Sequence, residues 1–366
     1  MRPPSLSIAA IPLSGRSRTV TDQLLLERPN WLLRRFAKAG RLPSQPRVLV
    51  VAPLSGHFGW LMRDTVLGLL PGHDVFLLEW LDARDIPAAV GRLGLDACVA
   101  AIMEALRTLG PGVAVLGVSQ APVPILAAAA LMAAHGEAER PRALMLMGGF
   151  IDPRRSPTAV ERLTARLPAG WFTRTMAATV PAGEAGHGRR IYPGTVHGRA
   201  LTRYLGRHLT SGGELRAKVT QDDGADPQRF PFLRLYTTLM DLPAEFAEEN
   251  ARKVFAEALL PRGQLACLGR LVEPARIADI GLMTVEGEAD DSSGPGHTHA
   301  AHALCPALVP DLRRRLTVAG VGHFGLFHGH AWRTQVLPQV TAFLAHLAKS
   351  PPPKTQENLA IHASKG

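Results

Sequence analysis

Residues 113–135 read Val-Ala-Val-Leu-Gly-Val-Ser-Gln-Ala-Pro-Val-Pro-Ile-Leu-Ala-Ala-Ala-Ala-Leu-Met-Ala-Ala-His. The run Val113 to Val118 is apolar, rich in β-branched residues and short, which predicts a buried strand. Pro122 to His135 has no polar face and predicts a buried helix. Pro122 and Pro124 fall in its first turn, where a missing N–H costs little. Ser119 stands between the two, on a strand–turn–helix corner. Gly117 and Ala121 flank it at minus two and plus two, small enough to let strand and helix approach each other. A serine on such a corner faces the N-terminal N–H groups of the helix, which favour a developing oxyanion. A serine that merely caps a buried helix would give the same letters, so the chemistry has to be argued from its partners.

Two later segments supply them, Gly287-Glu288-Ala289-Asp290-Asp291 and Gly322-His323-Phe324-Gly325. A serine hydroxyl is a poor nucleophile until an imidazole takes its proton. The imidazole in turn needs a carboxylate to fix its tautomer and stabilise its cation. Ser, then Asp, then His is the chain order of α/β-hydrolase triads. Four acids, Glu286, Glu288, Asp290 and Asp291, end the same predicted strand. The third residue after the turn glycine selects Asp290, and Asp291 suits the cap of the following turn. His323 follows the last predicted strand directly, which favours it over His328 and His330 downstream and over His297, His299 and His302 beside the acid loop. The spacings His297-x-His299 and His328-x-His330 occur without cysteines or an HExxH pattern, so no metal is expected. For the oxyanion, one N–H belongs to Gln120 and a second to the loop Pro53-Leu54-Ser55-Gly56-His57, from Leu54 or Ser55. His57 reads as a structural or substrate-lining residue, and Phe324 as a substrate-binding candidate.

The remaining pattern alternates. Val48 to Ala52, Asp74 to Trp80 and Ala143 to Met147 predict further strands, and 89–109 a helix ended by Gly110-Pro111. The rhythm returns with Ile280 to Val285, a helix near His299–Leu304, a strand Arg315–Val318 and a closing helix around Trp332–Leu347. Strands alternating with helices predict a mostly parallel sheet covered on both faces. The stretch 153–275 breaks the rhythm, being rich in Arg, Gly and Pro with helical patches such as Leu239–Leu260. It is expected to be a helical cap over the active site, inserted between core segments 46–152 and 276–348. Residues 1–45 are expected to form a basic extension in which Trp31-Leu32-Leu33 and Phe36 mark a short amphipathic helix. Residues 349–366, with Pro351-Pro352-Pro353, suggest a disordered tail.

The chain has 366 residues, 46% of them hydrophobic and 20% charged, in the range of a large globular protein. No apolar run is long and clean enough for a membrane span. The first twenty residues lack the apolar core and cleavage site of a secretory leader. Three scattered cysteines, Cys98, Cys267 and Cys305, give neither a disulfide framework nor a zinc pattern, so a reduced cytoplasm is the expected setting. The net charge of +10 is concentrated in two places. Residues 1–41 hold eight Arg and Lys against two acids, and residues 153–218 hold twelve against three. Such surfaces suit anionic lipid or an anionic cofactor, but no nucleic-acid-binding module is visible.

Several segments resemble one family in order along roughly 45–347: Ala52-Pro-Leu-Ser-Gly-His57, Asp82-Ala-Arg-Asp85, Val118-Ser-Gln-Ala-Pro122, Leu146-Met-Gly-Gly149 and Asp152-Pro-Arg-Arg-Ser-Pro-Thr158. Trp171-Phe172, Arg190-Ile-Tyr-Pro-Gly194, Met240-Asp-Leu-Pro-Ala-Glu-Phe246, Thr284-Val-Glu-Gly-Glu-Ala-Asp-Asp291 and Val321-Gly-His-Phe-Gly325 extend the match. They resemble the intracellular polyhydroxyalkanoate (polyhydroxybutyrate) depolymerases of bacteria. The resemblance implies an α/β-hydrolase fold, a cytoplasmic setting at the surface of polyester storage granules, and a nucleophile, acid and base at Ser119, Asp290 and His323. Many members carry cysteine and then Gln-Pro at the elbow; Ser119-Gln120-Ala121 implies an oxyester intermediate instead. Gly296-His297-Thr298 stands where Gly-Gln-Thr is usual, and the stretch from Tyr192 to Arg203 is less aromatic than in the family. The expected function is therefore a serine hydrolase of short-chain polyhydroxyalkanoate needing no cofactor, with transfer to coenzyme A in place of water left open. Trp171 and Phe172, with Phe230 and Phe232, are expected to line a polymer-docking face. The rival readings are a carboxylesterase or thioesterase of small acyl substrates and a non-catalytic granule protein; filled triad positions speak against the last.

Overall fold

The structure, a computed structural model, describes residues 3, 5–13, 15–40, 43–196, 198 and 239–349. Its centre is a nine-stranded sheet. The strands are β1 (Ala10–Leu13), β2 (Arg16–Arg28), β3 (Trp31–Lys38), β4 (Arg47–Val51), β5 (Asp74–Trp80), β6 (Ala114–Val118), β7 (Ala143–Met147), β8 (Gly281–Gly287) and β9 (Arg313–Val318). Their spatial order is β1-β2-β3-β5-β4-β6-β7-β8-β9. From β5 to β9 every neighbouring pair is parallel, whereas β1, β2 and β3 join antiparallel on the β5 side. The unbroken apolar runs of β4, β6 and β7 are buried on both faces, as a covered parallel sheet requires.

Four helices cover the core: α1 (Arg63–Leu69), α2 (Leu95–Leu109), α3 (Pro122–Ala134) and α4 (Leu337–Lys349). The chain steps from β4 outward to β5 and then back across to β6. Right-handed crossovers therefore put α1 on the face opposite α2 and α3, and α2 packs on α3 while α1 packs on α4. The reversal falls between β4 and β6. At such a point the loops leaving the two strands diverge and open a crevice beyond their carboxyl ends. The loop 52–57 and Ser119 both lie there, since Val51 pairs with Gly117.

The amphipathic helix expected at Trp31–Phe36 is instead strand β3. Trp31 pairs with Trp80 and Arg35 with Phe76 in the antiparallel ladder to β5. The apolar spacing misleads because this strand is covered on both faces near its start, while its arginines are neutralised from neighbouring strands. Arg34 meets Asp22 of β2 at 3.0 Å and also Glu79 of β5, and Arg35 meets Asp74 at 2.9 Å. Burial pushes Glu79 up to about 7 even with Arg34 beside it. Most of the described part of 1–45 is thus part of the main sheet rather than an appendage. The predicted helix 89–109 begins only at Leu95, after Gly91 turns the chain at φ +87°.

Between core segments the described residues form short helices at Ala159–Thr164, Trp171–Thr175 and Ala244–Glu249, the last continued by a π-helical stretch Asn250–Ala256. Two small antiparallel sheets that sequence reading did not anticipate join them. One is made of Ala178–Thr179, Arg190–Tyr192 and Leu242–Pro243; the other is the hairpin Ala266–Cys267 with Arg270–Leu271. Carboxylates of Ala244–Glu249 fasten this part to the core: Glu245 accepts the Leu93 N–H at 2.8 Å and Glu249 the Leu95 N–H at 2.9 Å, at the start of α2. Phe230 and Phe232, residues 199–238 generally, and the tail from 350 lie outside the described residues.

Candidate active site

Ser119 has φ +59°, one of four non-glycine residues with positive φ among those described. This left-handed conformation costs an L-residue about 1–2 kcal/mol, and it lifts the side chain off the end of β6. Two main-chain bonds hold the corner: Ser119 N–H to Met147 O at 3.0 Å and Ala121 N–H to Val118 O at 3.0 Å. The flanking small residues are needed for close approach. A Cβ on Gly117 would collide with the Ile125 side chain of α3 and stand 3.0 Å from the Ala121 Cβ. Ala121 therefore serves in place of a second glycine, because the partner it approaches is itself a glycine.

His323 and Asp290 reach Ser119 from the other side. His323 Nε2 accepts the Ser119 hydroxyl at 3.1 Å, and His323 Nδ1–H donates to Asp290 Oδ2 at 2.8 Å. The other Asp290 oxygen accepts the N–H groups of Ser292 at 2.9 Å and Ser293 at 2.8 Å. All three side chains are buried. The other acids do different work. Glu286 accepts the N–H of Gly296 at 2.8 Å and of His299 at 2.7 Å; Glu288 accepts the Gly320 N–H; Asp291 is exposed.

The imidazole is walled in. Phe324 and Phe327 stand edge-to-face with it, centroids 5.7 Å and 6.0 Å away. Gly148, at φ +50°, also leaves room where a Cβ would lie 3.1 Å from the ring. Hydroxyls of Ser293 and Thr298 donate to Gly149 O at 3.1 Å and 3.0 Å, pinning that glycine pair. From the core, Thr65 of α1 donates to Phe327 O at 2.7 Å, and Asp64 accepts from His328 Nδ1 at 2.7 Å and Gly329 N–H at 2.8 Å. Burial works against the Asp64 charge, but the hydrogen bond and charge of His328, with Gly329 and Arg333, outweigh it and hold its carboxyl down at about 2. Sequence reading names Phe324 as a substrate-binding candidate and His328 only as a rival to His323, and it does not point to Phe327, Ser293, Thr65 or Asp64. Gly148, Gly149 and Thr298 carry a signal, in the family segments Leu146-Met-Gly-Gly149 and Gly296-His297-Thr298. Thr65→Val is expected to destabilise the fold by about 1–3 kcal/mol, since Phe327 O is left buried and unpaired; a thermal melt measures it.

Next to the serine, the main-chain N–H groups of Gln120, Leu54 and Ser55 are committed to no acceptor among the described residues. His57 is buried, with Nδ1 3.3 Å from Ser55 Oγ. An apolar crevice lined by Leu54, Trp80, Leu81, Ile86, Leu93 and Cys98 opens beside that loop. Trp171 and Phe172 pack edge-to-face, ring centroids 5.2 Å apart, and among the described residues no hydrogen bond or ring contact joins them to Ser119, Asp290 or His323. The histidines beside the acid loop are held by protein groups. His299 and His302 share Thr284 Oγ1 at 2.7 Å and 2.9 Å, and His297 Nε2 donates to Ser156 O at 3.0 Å. Burial, with Arg315 nearby, pushes His302 down to about 4. Among the described residues no group of three or more His, Cys, Asp or Glu is placed to hold a metal ion.

The family model for the PHB de-polymerase C-terminus matches residues 148–348, more than half of the chain. The chain belongs to this family. Membership makes it a carboxylic ester hydrolase. The matched span includes Asp290 and His323 and starts after Ser119. No curated protein matches the sequence. Solved structures show the fold. The esterase RhEst1 from Rhodococcus sp. ECU1013 is 15% identical, with 90% of this chain and 99% of that one covered at a TM-score of 0.51. A malate-bound thermophilic esterase from Thermogutta terrifontis is 14% identical, with 90% and 98% covered at 0.50. A membrane phospholipase A described as a bacterial virulence factor is 13% identical, with 90% and 87% covered at 0.52. Like these, the chain has the α/β-hydrolase fold.

Proposed function

We propose that this chain hydrolyses ester bonds of short-chain polyhydroxyalkanoate, polyhydroxybutyrate above all, through an acyl-enzyme on Ser119. The observation that carries the chemistry is the relay of 3.1 Å and 2.8 Å from Ser119 through His323 to Asp290; the polymer is suggested by the family. Ser119 Oγ attacks the ester carbonyl carbon as His323 Nε2 takes its proton. Asp290 holds the imidazole in the productive tautomer and stabilises the imidazolium. The carbonyl oxygen, now negative, is received by the N–H of Gln120 and by that of Leu54 or Ser55, helped by the N-terminus of α3. The tetrahedral adduct collapses and His323 returns the proton to the leaving alkoxide. Water, deprotonated by His323, then attacks the oxyester and frees the hydroxyacid and Ser119.

In this reading residues 153–275 form the cap, Trp171 and Phe172 meet polymer, and its arginines meet the anionic coat of a granule in the cytoplasm. Among the described residues no helix is long and apolar enough to cross a membrane. The test compares native polyhydroxybutyrate granules with p-nitrophenyl butyrate. Release of hydroxybutyrate from granules, abolished by Ser119→Ala, is the expected result. Activity on the soluble ester alone would assign the chain to small-ester hydrolysis. The double variant Trp171→Ala, Phe172→Ala should lower the ratio of granule to soluble-ester hydrolysis about fivefold, the effect of losing roughly 1 kcal/mol of docking energy. An unchanged ratio would remove these aromatics from the docking face.

A further inference from the structure

Three of the segments that carry the family resemblance contain no triad member: Asp82–Asp85, Arg190–Gly194 and Met240–Phe246. The structure ties them into one knot around Asp241, which is buried. One Asp241 carboxylate oxygen accepts the Gly194 N–H at 2.8 Å and the other accepts Arg84 Nε–H at 2.8 Å. Its main-chain carbonyl accepts the Ala83 N–H at 3.0 Å, and its own N–H donates to Asp82 Oδ1 at 3.3 Å. Arg84 is braced by Glu184 at 2.9 Å. Gly194 allows the backbones to meet, since a Cβ there would stand 3.1 Å from both Leu239 O and Met240 O.

The two residues before Asp241 reach the active site. The Met240 N–H donates to Gly56 O at 2.8 Å, and Leu239 forms an antiparallel bridge with His57. Gly56, at φ +87°, and His57 close the loop whose Leu54 and Ser55 carry the oxyanion N–H candidates. Residues 239–241 are therefore a strut, clamped at one end and bonded to that loop at the other.

We infer that Asp241 is a positioning residue for the oxyanion hole: clamped by Gly194 and Arg84, it holds 239–240 against Gly56 and His57 and so sets the aim of the Leu54 and Ser55 N–H groups. This rests on the ester-hydrolysis reading above. A donor that misses the oxyanion forfeits up to about 10²–10³ in kcat. A displaced rather than deleted donor should lose part of that.

The test uses the full chain with p-nitrophenyl butyrate as substrate and phenylboronic acid as probe. The boronic acid adds Ser119 Oγ to boron, and the resulting tetrahedral boronate places an oxygen where the oxyanion would lie. Asp241→Ala should lower kcat about 10- to 50-fold with KM within about threefold, and weaken boronate inhibition by the same factor as kcat/KM. Arg84→Ala, the second variant should Asp241→Ala not fold, should change the same quantities in the same direction. The double variant should be little worse than either, since the two act through one clamp. If both folded variants keep wild-type kcat and change only melting temperature or KM, or lose kcat without losing boronate affinity, the inference is overturned. Ser119→Ala run alongside separates the two levels: retained activity there would sink the hydrolysis reading itself, whereas a Ser119-dependent enzyme indifferent to Asp241 sinks only the strut.

Discussion

Ser119→Ala is expected to lower kcat for ester hydrolysis by about 10⁴- to 10⁶-fold, the range seen when the nucleophile of a triad is removed. The fold should survive. The hydroxyl's hydrogen bond is to His323, alanine fills nearly the same space, and the positive φ of Ser119 strains either residue alike. The melting temperature should therefore move by only a few degrees, so a dead, folded enzyme is the signature. A variant retaining more than about a tenth of the wild-type rate would show that Ser119 is not the nucleophile. Ser119→Cys should keep measurable activity, because the family resemblance implies that cysteine can occupy this corner. The native cysteines should not matter. Cys98, Cys267 and Cys305 are buried, and burial raises all three thiols, Cys267 and Cys305 to about 12. They are protonated and shielded, so a thiol-specific reagent should leave the wild-type rate intact.

Asp290→Asn should cost about 10⁴-fold in kcat, since an amide facing His323 Nδ1 permits the wrong imidazole tautomer and does not stabilise the imidazolium. Its geometry should persist, because the amide oxygen can still accept the N–H groups of Ser292 and Ser293. Asp291→Asn, one residue away and exposed, should change the rate less than about twofold, as surface substitutions generally do. The pair is a clean comparison, because the two aspartates are adjacent in sequence but only Asp290 is buried against His323. Equal losses would mean that the acid is held differently from the 2.8 Å contact described.

The centre of the parallel sheet, β4, β6, β7 and β8, was legible because burial on both faces leaves an apolar run, and because Gly or Pro bounds each of these runs. The candidate site was legible for a related reason. A serine corner demands small neighbours, and Gly287 and Gly322 mark the turns that deliver Asp290 and His323. What escaped was whatever depends on partners distant in sequence. Arg34 looks like the polar face of a helix until Asp22 and Glu79 are seen on either side of it. Asp241 looks like a surface acid two residues before a proline until Gly194 and Arg84 close on it. Ser293 and Thr65 carry no pattern at all, since a hydroxyl's role is set by the carbonyl it finds. The small sheets of the insertion escaped because two- and three-residue strands have no measurable period.

The order of strands in the sheet also has a consequence for how the chain is made. β7 is synthesised early, but its neighbour β8 begins only at Gly281, after the whole insertion. Until then a fully apolar strand edge waits unpaired on the growing polypeptide, the kind of edge on which other chains aggregate. Ser119 and His323 are separated by 204 positions, so the two side chains meet only when nearly everything else has been translated and folded. Contacts of such long sequence separation form slowly. In the proposed mechanism hydrolytic competence is thus the last property the nascent protein acquires, and ester turnover in a cell extract should report completed folding more stringently than the amount of soluble protein does.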